Sequence, residues 1–248
     1  GNTPPVDVRP PPDLSGPGRP LDALYMKTEA DYHFTLAEAY SYEGQVERAI
    51  EELKLTLVYD PKSAHVRLRL GAEYIKKGLV SEALEQLESS VQADGEYWDA
   101  RLLLGGLYGS LRMYEKAEEQ YEYVMKRQPE NTEALMQMGF LYAEEKKYEE
   151  AIEEFKKISM MPGTENPHLG WYYIGRVNQD RKFYKEAEQN FLKALSLKPD
   201  FEEAVLGLGK NHEDQAQKDK AYKLYETYQD KHGPSVKVAD VLGRMYLD

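Results

Sequence analysis

The stretch WYYIGRVNQDRKFYKEAEQNFLKALSLKP, residues 171–199, decides the fold. Its first half sets Trp171, Ile174, Gly175 and Asn178 at spacings of three, one and three, which form one face of a helix. Arg181-Lys182 make a short polar turn. Its second half sets Ala187, Phe191 and Ala194 at i, i+4 and i+7, the face of a second helix. Pro199 closes the repeat, because the residue before a proline is pushed out of helical conformation.

Outward from this stretch the same pattern recurs along the chain. A small residue returns at Ala37, Gly71, Gly105, Gly139, Gly175, Gly209 and Gly243, with gaps of 34, 34, 34, 36, 34 and 34 residues. A second column is all alanine: Ala49, Ala83, Ala117, Ala151, Ala187 and Ala221. Large residues keep step with them. The first helix carries Leu36, Leu70, Leu104, Met138 and Leu208, then an aromatic slot at Tyr40, Tyr74, Tyr108, Tyr142 and Tyr246 that becomes Asn178 and His212 late in the chain. The second helix carries Leu53, Leu87, Tyr121, Phe155, Phe191 and Tyr225. A repeat of this period is the signature of helix pairs stacked in one dimension. The small columns let helix axes approach to about 8–10 Å. A glycine inside a helix costs up to ~1 kcal/mol against alanine, so the close approach must return more than that.

These residues resemble the tetratricopeptide repeat family, whose pattern runs W-x2-L-G-x2-Y…A-x3-F…P. The resemblance covers residues 28–248. It implies an all-α fold: a right-handed superhelical solenoid of about six helix pairs plus a final single helix. The organisation expected is a proline-rich extended segment over 1–21, six repeats over 22–235, and a solitary helix over 236–248 that is either a cap or the first helix of a seventh repeat.

Composition narrows the function. The chain has 248 residues, a net charge of −12 and no cysteine. Such a field repels a phosphate backbone and acidic lipid, so nucleic acid is not an expected partner. No apolar run approaches the ~20 residues that span a bilayer. Residues 1–20 hold seven of the thirteen prolines, which forbids helix there and suits a linker or a strap lying in a groove. A start at Gly1 followed by a proline-rich spacer is expected of an exported or lipid-anchored bacterial envelope protein, an organisation that cytoplasmic scaffolds share.

Catalytic patterns are absent. None of the five histidines, His33, His65, His168, His212 and His232, has a second at i+3 or i+4, so no helical metal pair is expected, and no cofactor. Gly207-Leu208-Gly209-Lys210 lacks the upstream glycine and the Ser or Thr of a phosphate loop. Glu149, Glu150, Glu153 and Glu154 lie among Lys146, Lys147, Lys156 and Lys157 at spacings that predict a solvated, ion-paired surface. The segment 160–167 is two residues too long for the period and is expected to loosen or re-angle the junction between the fourth and fifth repeats.

The resemblance further implies that the first helices of successive repeats line a concave groove for a peptide. By helical phase that wall holds Phe34, Leu68, Leu102, Leu103, Gly106, Met136, Phe140, Tyr172, Tyr173 and Arg176. Gly106 and Gly109 together are expected to give a floor without side chains. Relatives that grip the acidic carboxyl tails of chaperones do so with lysines, asparagines and an arginine. The matching places here are Phe34, Glu38, Arg69, Asp99 and Leu103, so that partner is not expected. The function expected is a non-catalytic scaffold holding a partner protein or peptide, apolar or proline-rich. The alternative is self-assembly into a dimer or filament through the proline-rich segment or the terminal helix.

Overall fold

The computed structural model describes residues 23–247. The expected proline-rich segment, 1–21, and Asp248 lie outside the described residues. Thirteen α-helices and no strand occur among the described residues. The chain divides into two compact units, 1–93 and 94–248. The first holds α1 (Ala23–Tyr42), α2 (Val46–Tyr59), α3 (Ala64–Lys77) and α4 (Val80–Ala93), each packed on the next. The second holds α5 (Trp98–Ser110), α6 (Tyr114–Arg127), α7 (Thr132–Glu144), α8 (Tyr148–Met160), α9 (Pro167–Asp180), α10 (Tyr184–Leu197), α11 (Glu202–Asp214), α12 (Lys218–His232) and α13 (Val236–Leu247). Odd-numbered helices are the first (A) and even-numbered the second (B) members of six pairs, and α13 stands alone. Within the second unit α5 also touches α7, and α9 touches α11, so A helices lie side by side.

One turn design joins A to B in every pair. The backbone turns left-handed at Gly44, Gly78, Arg112, Lys146, Lys182 and Ala216. The next residue's N–H then bonds back to the carbonyl of the aromatic slot: Gln45 to Tyr40 at 2.8 Å, Met113 to Tyr108 at 2.9 Å, Phe183 to Asn178 at 2.8 Å and Gln217 to His212 at 2.8 Å. This is the bond that satisfies the orphan carbonyls of a helix end. It explains how Asn178 and His212 can replace tyrosine, since the main chain makes the turn whatever the side chain is.

The two small columns do what close packing requires. All six alanines, Ala49 to Ala221, are fully buried. A Cβ on Gly71 would stand 2.8 Å from Leu87, on Gly105 2.6 Å from Tyr121, on Gly139 2.5 Å from Phe155 and on Gly175 2.8 Å from Phe191, so each glycine seats the large residue of its own B helix. Tyr121, Phe155, Phe191 and Tyr225 are among the largest fully buried side chains. Burial pushes the Tyr121 phenol up to about 12.

Two expectations need correction here. Of the two outcomes expected of the longer segment before α9, a loosened or a re-angled junction, the loosening does not occur. The segment's extra residues are absorbed in a turn with Gly163 at positive φ, and Pro167 takes the first helical position of α9, where a missing N–H costs nothing. Ser159 Oγ donates to the Pro167 carbonyl at 3.0 Å, and a Cβ on Gly170 would lie 2.3 Å from the Phe155 carbonyl oxygen, so α8 and α9 are pressed together. Nor is the whole acidic run of α8 solvated: Glu154 is buried and takes the Lys157 ammonium at 2.7 and 2.8 Å.

Candidate interaction site

In the first unit, Phe34 is half-buried with its ring 5.2 Å from that of His65, and Leu68 is buried. Beside them Arg69 Nη2 and Glu38 pair at 2.6 Å. His33 is used internally: Nδ1 meets Glu52 at 2.6 Å and the ring stacks on Tyr59. The charged side chains beside Phe34 and Leu68 are thus paired within the unit.

The second unit separates the remaining residues. Leu102 and Tyr172 are buried in the packing, Leu103, Met136 and Tyr173 are half-buried, and Gly106, Phe140 and Arg176 are exposed. Phase placed them all on one side of their helices, but packing buries the first two. The floor expected from Gly106 and Gly109 does not form. A Cβ on Gly106 would meet only the Tyr121 hydroxyl, at 3.8 Å, whereas Gly109 is buried with Leu141 of α7 3.4 Å from where its Cβ would be.

What the fold does bring together is an aromatic ledge. Phe140 of α7 stands edge-on to Tyr173 of α9, ring centroids 4.8 Å apart, and both rest on the buried Phe155. Tyr172 continues the ledge 5.1 Å from Tyr173 and packs edge-on to Phe201. Such offset and edge-to-face contacts hold the rings beyond what their burial alone supplies. Burial raises the Tyr173 phenol above its ordinary range, so it stays neutral and able to donate. At the end of the ledge Arg176 Nη1 donates to the Tyr172 hydroxyl at 3.1 Å, and no carboxylate pairs with it among the described residues.

Beyond Arg176 lies a cleft of about 430 Å³ between α9 and α11, lined by Tyr172, Gln179, Asp180, Glu203, Leu206 and Lys210. Gln179 Nε2 already donates to the Gly207 carbonyl at 3.2 Å, tying the two helices at its base. A second cleft, about 450 Å³, shares Leu206 and Lys210 and continues to Val241, Arg244 and Met245 of α13. Sequence reasoning did not select Gln179, Glu203 or Arg244. The 34-residue spacing of Arg176, Lys210 and Arg244 is the signal that would have found the last. The three cations differ in state. Lys210 is held by Asp214 at 2.5 Å, which raises its ammonium, and Arg244 by Asp240 at 3.1 Å, leaving Arg176 as the one without an acid.

No group of three metal-ligating side chains occurs among the described residues, and none of their helices is long and apolar enough to cross a membrane. His168 is buried against Phe201, and burial with the nearby Lys198 lowers its imidazole below the ordinary value, which keeps it neutral.

Comparison with known proteins agrees with the fold. The family model described as tetratricopeptide repeat matches residues 110–163. No curated protein matches the chain. Among solved structures, a tetratricopeptide repeat protein of Parabacteroides merdae is similar over 89% of this chain and 86% of its own, with 21% identity and a TM-score of 0.68. PilF of Pseudomonas aeruginosa is similar over 88% of this chain and 99% of its own, with 17% identity and a TM-score of 0.64. YrrB, described as a tetratricopeptide repeat protein with an unusual peptide-binding site, is similar over 74% of this chain and 94% of its own, with 23% identity and a TM-score of 0.56. Residues 110–163 are tetratricopeptide repeat sequence, and the chain has the fold of the tetratricopeptide repeat proteins.

Proposed function

We propose that the protein is a non-catalytic scaffold that holds an extended, apolar or proline-rich segment of a partner protein against the A-helix face of its second unit. The observation that carries this reading is the ledge itself. Phe140 is 37% exposed, yet its ring is fixed edge-on to Tyr173 and supported from beneath by Phe155. A rigid ring left in water gains by meeting an apolar side chain and loses little conformational freedom in doing so. Arg176, one turn from Tyr172 and Tyr173, supplies a cation for a ligand carboxylate or main-chain carbonyl. YrrB, a structural neighbour, is described as having a peptide-binding site, which is consistent with this use of the fold.

The test is a peptide selection on the protein, followed by titration of the selected peptides by calorimetry. Phe140→Glu with Arg176→Glu is expected to weaken those peptides at least tenfold, with a cooperative thermal transition showing that the double variant is folded. Peptides that bind the double variant as tightly as the parent would remove the ledge from the site.

A further inference from the structure

One place near the start of the A helix is built as a ring laid on a cation. In the third pair Arg101 of α5 donates through Nη1 to Gln120 Oε1 at 2.9 Å and through Nε to the Gly95 carbonyl at 2.6 Å. Its guanidinium, fixed in this way, lies 3.4 Å from the centre of the Tyr123 ring of α6. Arg127 covers the other face of that ring at 3.6 Å, and Glu96 lies 3.6 Å from Arg127. In the fifth pair the positions of Arg101 and Tyr123 hold Trp171 and Lys193, so ring and cation are exchanged, and they meet at 3.5 Å. In the first pair His33 takes the arginine's position. It meets Glu52 at 2.6 Å, as Arg101 meets Gln120, and stacks on the ring of Tyr59.

The second pair has the cation and lacks the ring. Arg67 of α3 stands 34 residues before Arg101 and is held alike: Nη1 donates to Gln86 at 3.2 Å and Nη2 to the Pro61 carbonyl at 3.0 Å. Where the third pair has Tyr123, Arg127 and Glu96, the second has Ser89, Ala93 and Lys62. The smaller residues leave a recess of about 310 Å³, lined by Pro61, Lys62, Arg67, Ser89, Gln92 and Ala93. Arg67 is half-buried, and no acid pairs with it or with Lys62 among the described residues. We propose that this recess is a binding site for an aromatic side chain of a partner protein, which stacks on Arg67 as Tyr123 stacks on Arg101. A guanidinium is planar and weakly hydrated, so a ring laid on it gains attraction at small desolvation cost. Gln86 and Pro61 already hold the group in place, so little side-chain freedom is lost on binding. The recess is at the lower end of ligand clefts in volume, and Pro61 and Lys62 at its rim are exposed, which suits one inserted side chain rather than an enclosed small molecule. All of its residues belong to the first unit, so it is independent of the Phe140 ledge. A single stacked ring binds in the millimolar range, a strength that serves a partner held at other points as well.

Proton–nitrogen NMR of the full chain tests this through the Nε–Hε signal of Arg67, assigned by its loss in Arg67→Lys. The neutral tripeptide Gly-Tyr-Gly, blocked at both ends and added to about 20 mM, is expected to move that signal upfield by its ring current and to saturate. Gly-Leu-Gly, blocked in the same way, should leave it in place. Ser89→Tyr sets the chain's own ring where the third pair has Tyr123. It should shift the Arg67 signal upfield with no peptide present and abolish the response to Gly-Tyr-Gly. An Arg67 signal in the parent that ignores Gly-Tyr-Gly, or that follows Gly-Leu-Gly equally, overturns the proposal, and so does a response that survives in a folded Ser89→Tyr variant.

Discussion

A Cβ placed on Gly209 would lie 2.1 Å from the hydroxyl oxygen of Tyr225, whose O–H in turn donates to Glu213 at 3.0 Å. Glycine is therefore required at this position by the ring of the neighbouring helix, even though α11 itself would be better formed with alanine. At Gly243, the same place in the register, no described residue comes within 4 Å of where a Cβ would be. One substitution should then have opposite signs at the two sites. Gly209→Ala is expected to destabilise by about 1–3 kcal/mol through overpacking. Gly243→Ala should stabilise by up to about 1 kcal/mol through helix propensity. Urea unfolding of the two variants reads both.

The inter-helix turns make a second prediction. Four of the six left-handed turn positions are not glycine: Arg112, Lys146, Lys182 and Ala216, at φ between 58° and 62°. A side chain with a Cβ costs roughly 1–2 kcal/mol in that region, partly offset by the greater freedom that glycine brings to the unfolded chain. Ala216→Gly and Lys182→Gly are each expected to raise stability by up to about 1 kcal/mol, measured as a higher urea midpoint at unchanged slope.

A third concerns polar residues buried in an otherwise apolar column. Leu107, Leu141 and Val177 are buried at equivalent places on α5, α7 and α9, while α11 carries Asn211 there and α3 carries Glu73. Asn211 Nδ2 reaches the Tyr184 carbonyl at 2.9 Å, but its Oδ1 has no partner, and neither has Oε2 of Glu73. An unsatisfied buried acceptor costs about 1–3 kcal/mol, more than one neutral hydrogen bond returns. Asn211→Leu is expected to stabilise the second unit by about 1 kcal/mol, with thermal denaturation as the readout.

His168 sets a pH dependence. Its imidazole is lowered by burial and by Lys198, with Asp200 and Glu203 opposing weakly. Because the folded value lies below the unfolded one, the stability that the neutral ring carries is fully present above the ordinary histidine value of about 6.5. It is lost as pH falls from there through the folded value. Between about pH 7.5 and about pH 5 the parent should therefore lose more stability than His168→Phe, which keeps a ring against Phe201 and cannot be protonated.

The fold was legible because its determinants are local and periodic. Glycine against ring and alanine against helix recur every 34 residues, and the same contact is built at Gly71–Leu87, Gly105–Tyr121 and Gly139–Phe155. The site was legible only in part. Phase gives the direction a side chain leaves its helix, and Phe140 and Tyr173, chosen by phase, do meet. Phase does not say whether packing covers that direction, and Leu102, Gly109 and Tyr172 are buried. Gly170 belongs to neither small column, so nothing periodic marked the close approach it permits. The positively charged residues at the left-handed turns gave no signal either, since arginine and lysine have no preference for that conformation.

The central claim is that a partner segment lies on the A-helix ledge of the second unit. A photo-crosslinking amino acid placed at Phe140, with a control at the exposed Glu153 on α8, tests it most directly. Irradiation with a selected peptide is expected to give a covalent adduct from position 140 and none from position 153. Equal labelling at both positions, or labelling at 153 alone, would contradict the account.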